Sequence, residues 1–400
     1  MAIRKTRRAV LKAGSALAAA SILPAGTYAQ SEPLRLGVLT ALTGAGGADG
    51  PRMLKAMQAV ADEVNAAGGV LGRKIELVVE DDQTNPEAAV RAARKLIEVN
   101  KVPVIMGTWA SAVTSAVAPV CWESKTFLTT VSGADSITQL PHQGFLIRTQ
   151  PNSQLQGKAH ATFIASMGYK RVFVMAIQAP FAIPTRNRLE EILKANGSEL
   201  VGGLIYEKEK TTYRSEVDEA LRSKPDLIYL NGYAPDTIVT LRDLYRAGFS
   251  GPRFAQSYAV PAKTLETLPP EVTENIYTGQ PSADIGSKPF ELAAKRLGIA
   301  EPDSYECQAT DWISIVALTI AKGKEATGQA LRDNVRKITQ GNGQKVSSAV
   351  EGLKLLAEGK EINYEGASGP CDFTDIGDIF DCRFRYVKVE GGKLKFVKVT

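Results

Sequence analysis

The sequence predicts an α/β protein made of two successive doubly wound units, each a parallel sheet flanked by helices. Three observations predict it. Apolar residues alternate between strand-like and helix-like periods from Leu34 onward, a second series of the same kind starts near Pro151, and the pattern beyond Ile276 is mostly helical. In the first unit Leu34 to Leu39 reads as a buried strand, Pro51 to Ala67 as a helix and Lys74 to Glu80 as a strand. Pro86 to Val99 follows as a helix capped by Asn85, then strand Val102 to Met106, helix Ala112 to Glu123 and strand Thr126 to Val131.

Phe145 to Asn152 reads as a linking stretch. In the second unit the strands are Val172 to Ala176, Leu200 to Tyr206, Leu227 to Asn231 and Arg253 to Gln256, with helices starting near Ser153, Ala182, Ser215 and Pro235. Four helical stretches follow, Pro289 to Leu297, Tyr305 to Lys322, Gly328 to Ile338 and Ser347 to Ala357, and they are expected to cover an existing sheet without strands of their own. A hairpin closes the chain, Arg383 to Val389 and Lys393 to Val397, turned by Gly391-Gly392.

Residues 1–29 are set apart from the fold. Arg4, Lys5, Arg7, Arg8 and Lys12 precede an apolar run, Ala13 to Leu23, that is too short to span a bilayer, and small residues end at Ala29. The pair Arg7-Arg8 resembles a twin-arginine export signal, so a periplasmic location is expected. The whole chain has 48 basic and 43 acidic residues; without those five cations the two counts are equal and the formal charge is zero. That balance gives no basic excess for nucleic acid or an anionic membrane surface. No later run is long enough to span a membrane, and about 370 residues call for two domains.

Cysteine usage in an exported chain admits oxidation. Cys371 and Cys382 flank an Asp-rich turn, Phe373 to Asp378, and are expected to form a disulfide, whereas Cys121 and Cys307 fall in helix-like stretches and read as small buried side chains.

Catalytic signals are scarce. Gly44-Ala45-Gly46-Gly47-Ala48-Asp49-Gly50 follows a strand and precedes a helix, but Asp49 stands where a dinucleotide fingerprint needs glycine. The loop reads instead as a flexible turn or as backbone amides near an anion. His142 and His160 are too isolated for a metal cluster, and Asp81-Asp82 are adjacent strand residues that face opposite ways, so no cofactor and no catalytic pair are assigned. What recurs at the carboxyl ends of strands is a set of hydroxyl and aromatic residues. These are Thr108, Trp109 and Ser111, then Ser132, Gly133 and Asp135, and in the second unit Phe181, Tyr233 and Tyr258.

Taken together, Leu42-Thr43-Gly44, Asn65 to Gly72, Glu80-Asp81-Asp82, Ser111-Ala112-Val113-Thr114 with Ala118-Pro119, Asn231-Gly232-Tyr233 and Glu365 to Pro370 resemble the type I periplasmic solute-binding proteins. The resemblance is to the leucine/isoleucine/valine-binding kind that serves ABC transporters. It implies two Rossmann-like lobes joined by three hinge strands near residues 148, 278 and 380. One lobe would be 30–148 plus 279–379 and the other 149–278 plus 380–400. It also implies a monomer that is not an enzyme and delivers a small-molecule carboxylate or amino acid to a permease. Ser111 and the backbone of Ser132 and Gly133 would hold the ligand carboxylate, and Tyr233 would touch it from the second lobe. Where amino-acid binders place a threonine and an acid against the ligand ammonium, this sequence has Ala134 and Tyr258, neither able to neutralise a buried cation. A carboxylate without an α-ammonium and with an aromatic or apolar body is therefore expected. A branched-chain or aromatic amino acid is the alternative if Asp135 or Glu207 supplies the charge. An exported hydrolase using Asp81 and Asp82 lacks a second reacting group, and a sensor would be tethered to an output module.

Overall fold

The computed structural model describes residues 32–283 and 285–400, so residues 1–29, expected to be an export signal, lie outside the described residues. The first unit runs β1 (Leu34–Thr40), α1 (Gly50–Ala66), β2 (Ile75–Asp81), α2 (Pro86–Arg94), β3 (Val104–Gly107), α3 (Ser111–Glu123), β4 (Phe127–Thr130) and β5 (Leu146–Arg148). These strands form one parallel sheet in the order β2-β1-β3-β4-β5. Asn85 caps α2 by accepting from the Glu87 and Ala88 amides at 2.9 and 3.0 Å. The stretch that reads as a linker contains the edge strand β5, whose three buried residues are too few to show a period of their own.

The second unit runs α4 (Ser153–Ser166), β6 (Arg171–Ile177), α5 (Ala182–Ala195), β7 (Glu199–Tyr206), α6 (Arg214–Arg222), β8 (Leu227–Asn231), α7 (Ala234–Arg246), β9 (Arg253–Gln256), α8 (Ala262–Thr267), α9 (Pro270–Thr273) and β10 (Ile276–Pro281). Then come α10 (Lys288–Leu297), α11 (Ser304–Gly323), α12 (Gly328–Thr339), β11 (Gln344–Val346), α13 (Ala349–Ala357), β12 (Ile362–Gly366), β13 (Gly369–Pro370), β14 (Phe384–Glu390) and β15 (Lys393–Val399). The second sheet has the order β15-β14-β10-β9-β8-β6-β7, parallel from β10 to β7, with the terminal hairpin added antiparallel at β10. Gly391 and Gly392 turn that hairpin with φ of 58° and 73°, which glycine adopts without steric cost.

The C-terminal helices do carry strands, contrary to the sequence expectation: β11, β12 and β13 make a small separate sheet. With two to five residues each, these strands are too short for their pattern to stand out against the helices around them. Helix α11 is almost wholly buried, with Trp312 fully enclosed, and packs on α1, α12 and α13. It therefore belongs with the first sheet. Among the described residues the chain crosses between the sheets three times, through 149–152, between β10 and α10, and through 371–383.

Both parallel sheets reverse their strand order internally, between β1 and β3 and between β6 and β8. At such a reversal the loops on either side leave toward opposite faces and open a crevice at the carboxyl ends of the strands, where ligands of open α/β sheets sit.

Candidate functional site

The residues at these two reversals converge. A cavity of about 20 Å³ is lined by Trp109, Ser111, Val131, Gly133, Gln150, Gln156, Phe181, Tyr233, Tyr258 and Tyr305. Of the residues singled out from the sequence, Trp109, Ser111, Gly133, Phe181, Tyr233 and Tyr258 are on that wall.

Trp109 follows β3 through Thr108, which is held at φ 46° with its amide donating to the Leu39 carbonyl at 2.7 Å. A non-glycine residue in the left-handed region is strained, and here the backbone bond to β1 holds it. The indole lies against Gly46, where an added Cβ would sit 2.8 Å from Trp109 Cε3, so the glycine-rich loop is shaped to admit the ring. The amides entering that loop do meet an anion, but it is the protein's own. Asp81 accepts from the Leu42, Thr43 and Gln83 amides at 3.0, 3.2 and 2.8 Å and from the Thr43 hydroxyl at 2.6 Å.

Across the reversal, Phe181 opens α5 and Tyr233 opens α7. Tyr258 comes from the turn after β9. The rings of the two lobes touch directly: the Trp109 centroid is 5.0 Å from Tyr233 and 5.6 Å from Tyr258, and Phe181 is 5.6 Å from Tyr233. These are ordinary offset and edge-to-face spacings. The space left is about that of one water, so any ring-sized guest must part these side chains. Burial pushes the Tyr233 and Tyr258 phenols well above their usual range, so both are neutral donors.

Sequence reading missed Tyr305, Gln150, Gln156 and Val131. Tyr305 stood only as the start of a core helix, although it is placed by a charge device at the helix ends. Asp49 stands at the N-cap position of α1 without a side-chain capping bond, Asp303 caps α11, and Arg52 bridges them, reaching Asp49 at 2.5 Å and pairing with Asp303 as well. Because α1 starts beside the carboxyl end of β1, the bridge brings Tyr305 to 6.5 Å from Trp109. Burial raises Asp49 to about 6 even against the charge of Arg52. The indole N–H of Trp109 makes only a loose approach to the Tyr305 phenol and forms no proper hydrogen bond. Gln150 and Gln156 are held by Gln308 and Gln256 respectively, each at 2.8 Å. Buried glutamines beside the first crossing are the signal that could have exposed them.

Two sequence-predicted residues do not face the cavity. Ser132 turns its hydroxyl inward to the Thr108 and Trp109 carbonyls at 3.2 and 3.0 Å and to Thr114, and Ala134 has its methyl group in the core. Both support the wall from behind, since the Ala134 amide donates to Ser111 Oγ at 3.2 Å. That bond occupies an acceptor site on Ser111 and leaves its hydroxyl proton available.

Asp135 is half-buried and occupied by the Gln154 amide at 3.2 Å, and Glu207 is exposed. Neither lines the cavity, and among the described residues no charged side chain does. Several helices that start at this edge also lack side-chain caps. Ala110, Phe181 and Tyr233 leave the first turns of α3, α5 and α7 uncapped, whereas Asn152 and Asp303 cap α4 and α11, which bring Gln156 and Tyr305 to the same wall. Uncapped N–H groups together with a free hydroxyl suit an anion.

The expected Cys371 to Cys382 disulfide is not formed. All four cysteines are free, with the Cys371 thiol directed to the Gly369 carbonyl and Cys382 to Arg383. The Asp-rich turn does close, through a bridge between Phe373 and Ile379, but the cysteines lie beyond it. There the two segments part around a second cavity of about 210 Å³. Cys121 and Cys307 are buried in α3 and α11.

The paired-acid and metal readings find no support in the geometry. Asp81 is saturated by the β1 loop, and Asp82 is fully buried with Oδ1 on the Thr84 amide at 2.7 Å. Among the described residues no cluster of His, Cys, Asp and Glu could hold a metal, and no helix is long and apolar enough to cross a membrane.

A Leu/Ile/Val-binding protein of Rhizobium johnstonii is 23% identical to this chain over 372 residues, covering 90% of this chain and 93% of the relative. The branched-chain amino-acid transporter substrate-binding protein LivJ of Streptococcus pneumoniae, solved with isoleucine, superposes with a TM-score of 0.78 at 18% identity, over 92% of this chain and 99% of that one. A solute-binding protein of an ABC transporter from R. palustris, solved with benzoate, gives 0.74 at 18% identity, over 92% and 96%. Fold similarity is thus nearly the same to an amino-acid complex and to an aromatic-acid complex. The family model for periplasmic binding proteins matches residues 33–393, and the chain belongs to that family as a type I member of the Leu/Ile/Val-binding protein kind.

Proposed function

We propose that this chain is the extracytoplasmic solute-binding component of an ABC importer, non-enzymatic, and selective for an aromatic or apolar carboxylate that lacks an α-ammonium. The observation that carries the reading is the composition of the cavity wall. It offers the Ser111 hydroxyl, the Gly133 amide and the open first turn of α3 to an anion, five aromatic rings to a flat apolar body, and no carboxylate to a cation. An ammonium closed into that space would lose its hydration with no opposite charge beside it, which costs several kcal/mol. The periplasmic location rests on the order of charge, apolar run and small residues in 1–29. Capture follows from lobe closure: only the closed form brings Ser111 and Gly133 of one lobe and Phe181, Tyr233 and Tyr258 of the other onto one ligand, so the ligand favours that form. A permease then distinguishes the closed complex from the open protein.

Calorimetric titration of the purified protein with benzoate, 4-hydroxybenzoate, leucine and phenylalanine tests this. Heat from the benzoates and none from the amino acids is the expected result. Tight leucine binding overturns the carboxylate-only reading and restores the amino-acid alternative.

A further inference from the structure

The backbone groups of Ser132, Gly133 and Ala134 can be followed one by one. The Ser132 carbonyl accepts from Arg148 Nη1 at 3.1 Å, the Gly133 carbonyl from the Ser153 amide and hydroxyl at 2.8 and 2.9 Å, and the Ala134 carbonyl from Arg148 Nη1 at 2.6 Å. The Ser132 amide donates to Thr130 Oγ1 at 3.0 Å and the Ala134 amide to Ser111 Oγ at 3.2 Å. Only the Gly133 amide has no partner among the described residues, and Gly133 is the member of the three that lines the cavity.

In a planar trans peptide the C=O and N–H point in opposite directions. A guanidinium that pins the Ser132 carbonyl therefore turns the Gly133 N–H away from itself. We propose that Arg148 is a positioning residue for the anion site: it holds the Ser132 and Ala134 carbonyls so that the Gly133 N–H is presented to the ligand carboxylate. The inference rests on the binding reading above. Arg148 does not line the cavity, and its charge is answered by Asp378, which accepts from Nε at 2.9 Å and from Nη2 at 2.5 Å. It thus acts by geometry rather than by lending its own charge to the ligand. The same ion pair ties the loop to the crossings. Asp378 lies on the third crossing and also accepts from Asn152 Nδ2 of the first at 3.2 Å, while the Arg148 amide donates to the Gly377 carbonyl at 2.8 Å. A change in the third crossing is thereby transmitted to the groups that meet the anion.

The test compares wild type, Arg148→Lys and Asp378→Asn by calorimetry with 4-hydroxybenzoate and its neutral analogue 4-hydroxybenzamide. The Gly133 amide resonance is followed by ¹⁵N NMR, identified by its absence in Gly133→Ala. Lysine keeps the charge but cannot bridge two carbonyls and a carboxylate in the same plane. Arg148→Lys is expected to weaken the carboxylate about tenfold to thirtyfold and the amide less than about threefold, and to abolish the downfield shift of Gly133 on carboxylate binding. Should Arg148→Lys fail to fold, Asp378→Asn, which removes the carboxylate that fixes the guanidinium and so loosens its hold on the two carbonyls, is expected to show the same selectivity at about threefold to tenfold. Equal weakening of both compounds, or a Gly133 resonance that does not move in wild type, overturns the proposal. If wild type instead prefers leucine, the aromatic-acid reading falls, and leucine against leucinamide reads the Arg148 effect by the same criterion.

Discussion

On the cleft wall built from the first sheet, polar groups are fixed by other polar groups. Thr114 Oγ1 bonds Ser132 and also Thr130, at 3.2 Å, Thr130 Oγ1 donates to the Thr108 carbonyl at 2.7 Å, and Arg148 holds the next turn. On the wall from the second sheet, Phe181, Tyr233 and Tyr258 lean on one another, on Trp109 and on the apolar core behind them. A hydrogen-bonded network in a dry interior has few alternative arrangements, whereas ring contacts can be exchanged for contacts with another ring at little loss. The difference assigns recognition of the charged end of the ligand to the first wall and adaptable apolar capture to the second.

The strongest way to break that division is to put a charge on the apolar wall. Tyr258→Glu would place a carboxylate beside Trp109 and Tyr233, opposite the anion donors. Affinity for benzoate is expected to fall at least about a hundredfold, from like-charge repulsion in a dry site, while leucine or phenylalanine gains measurable affinity. Calorimetry with the three compounds reads both changes. If benzoate binding survives, Tyr258 is not at the ligand and the division of labour is wrong. Ser111→Ala attacks the other wall. It removes a donor to the carboxylate and leaves the Ala134 amide without its acceptor, so a loss of about ten- to a hundredfold toward benzoate is expected, with little change in melting temperature.

How much of this was legible in the sequence follows from the range of the forces involved. The β8 strand is recovered to the residue because Leu227 to Leu230 is a compact apolar run, β9 is recovered with the same bounds although only Phe254 and Ala255 in it are apolar, and Trp109, Phe181, Tyr233 and Tyr258 could be singled out because a strand's carboxyl end is a local position. Tyr305 is not local in that sense. Its place at the cleft depends on Arg52 bridging Asp49 and Asp303, residues about 250 positions apart, and no period records such a contact. The inward turn of Ser132 is likewise decided by carbonyls from another loop, and the unpaired cysteines by where two segments diverge after a bridge.

The adjacent acids of the first wall sharpen the comparison through pH. Asp81 is held below the usual carboxylate range because bonds from Thr43, Gln83 and Leu42 outweigh the burial that raises it. Asp82 is raised to about 6 by burial, against a single bond from Thr84, and its Oδ2 has no partner. With a folded value near 6 and an unfolded value near 3.9, the folded state binds more protons between those limits. Stability is therefore lost as pH rises from about 4 through about 6. Asp82→Asn, which carries no charge at any pH, is expected to stabilise the protein by on the order of 1–3 kcal/mol at pH 7.5 and to lose that advantage by pH 4. The matching Asp81→Asn should lower the melting temperature at neutral pH, because an amide cannot accept all four bonds. Thermal melts across pH 4 to 8 decide, and a stabilisation that does not change with pH would show that the Asp82 pKa is not raised in the folded protein.

The smallest effect is expected at a second hydroxyl, and it is informative because it is small. Tyr233 and Ser111 both present an O–H to the same cavity, one from each wall. The Ser111 oxygen is anchored by the Ala134 amide, so its proton has a fixed origin, whereas the Tyr233 phenol has no hydrogen-bond partner among the described residues and its ring rests against Trp109, Phe181 and Tyr258. A donor that must first be oriented gains little net energy from one neutral hydrogen bond, while the ring contributes its apolar area in either case. Tyr233→Phe should therefore change benzoate affinity by less than about threefold, and Tyr233→Ala by considerably more. If Tyr233→Phe instead costs as much as Ser111→Ala, the second wall also reads the polar end of the ligand, and the ligand must carry a second polar group placed to meet it.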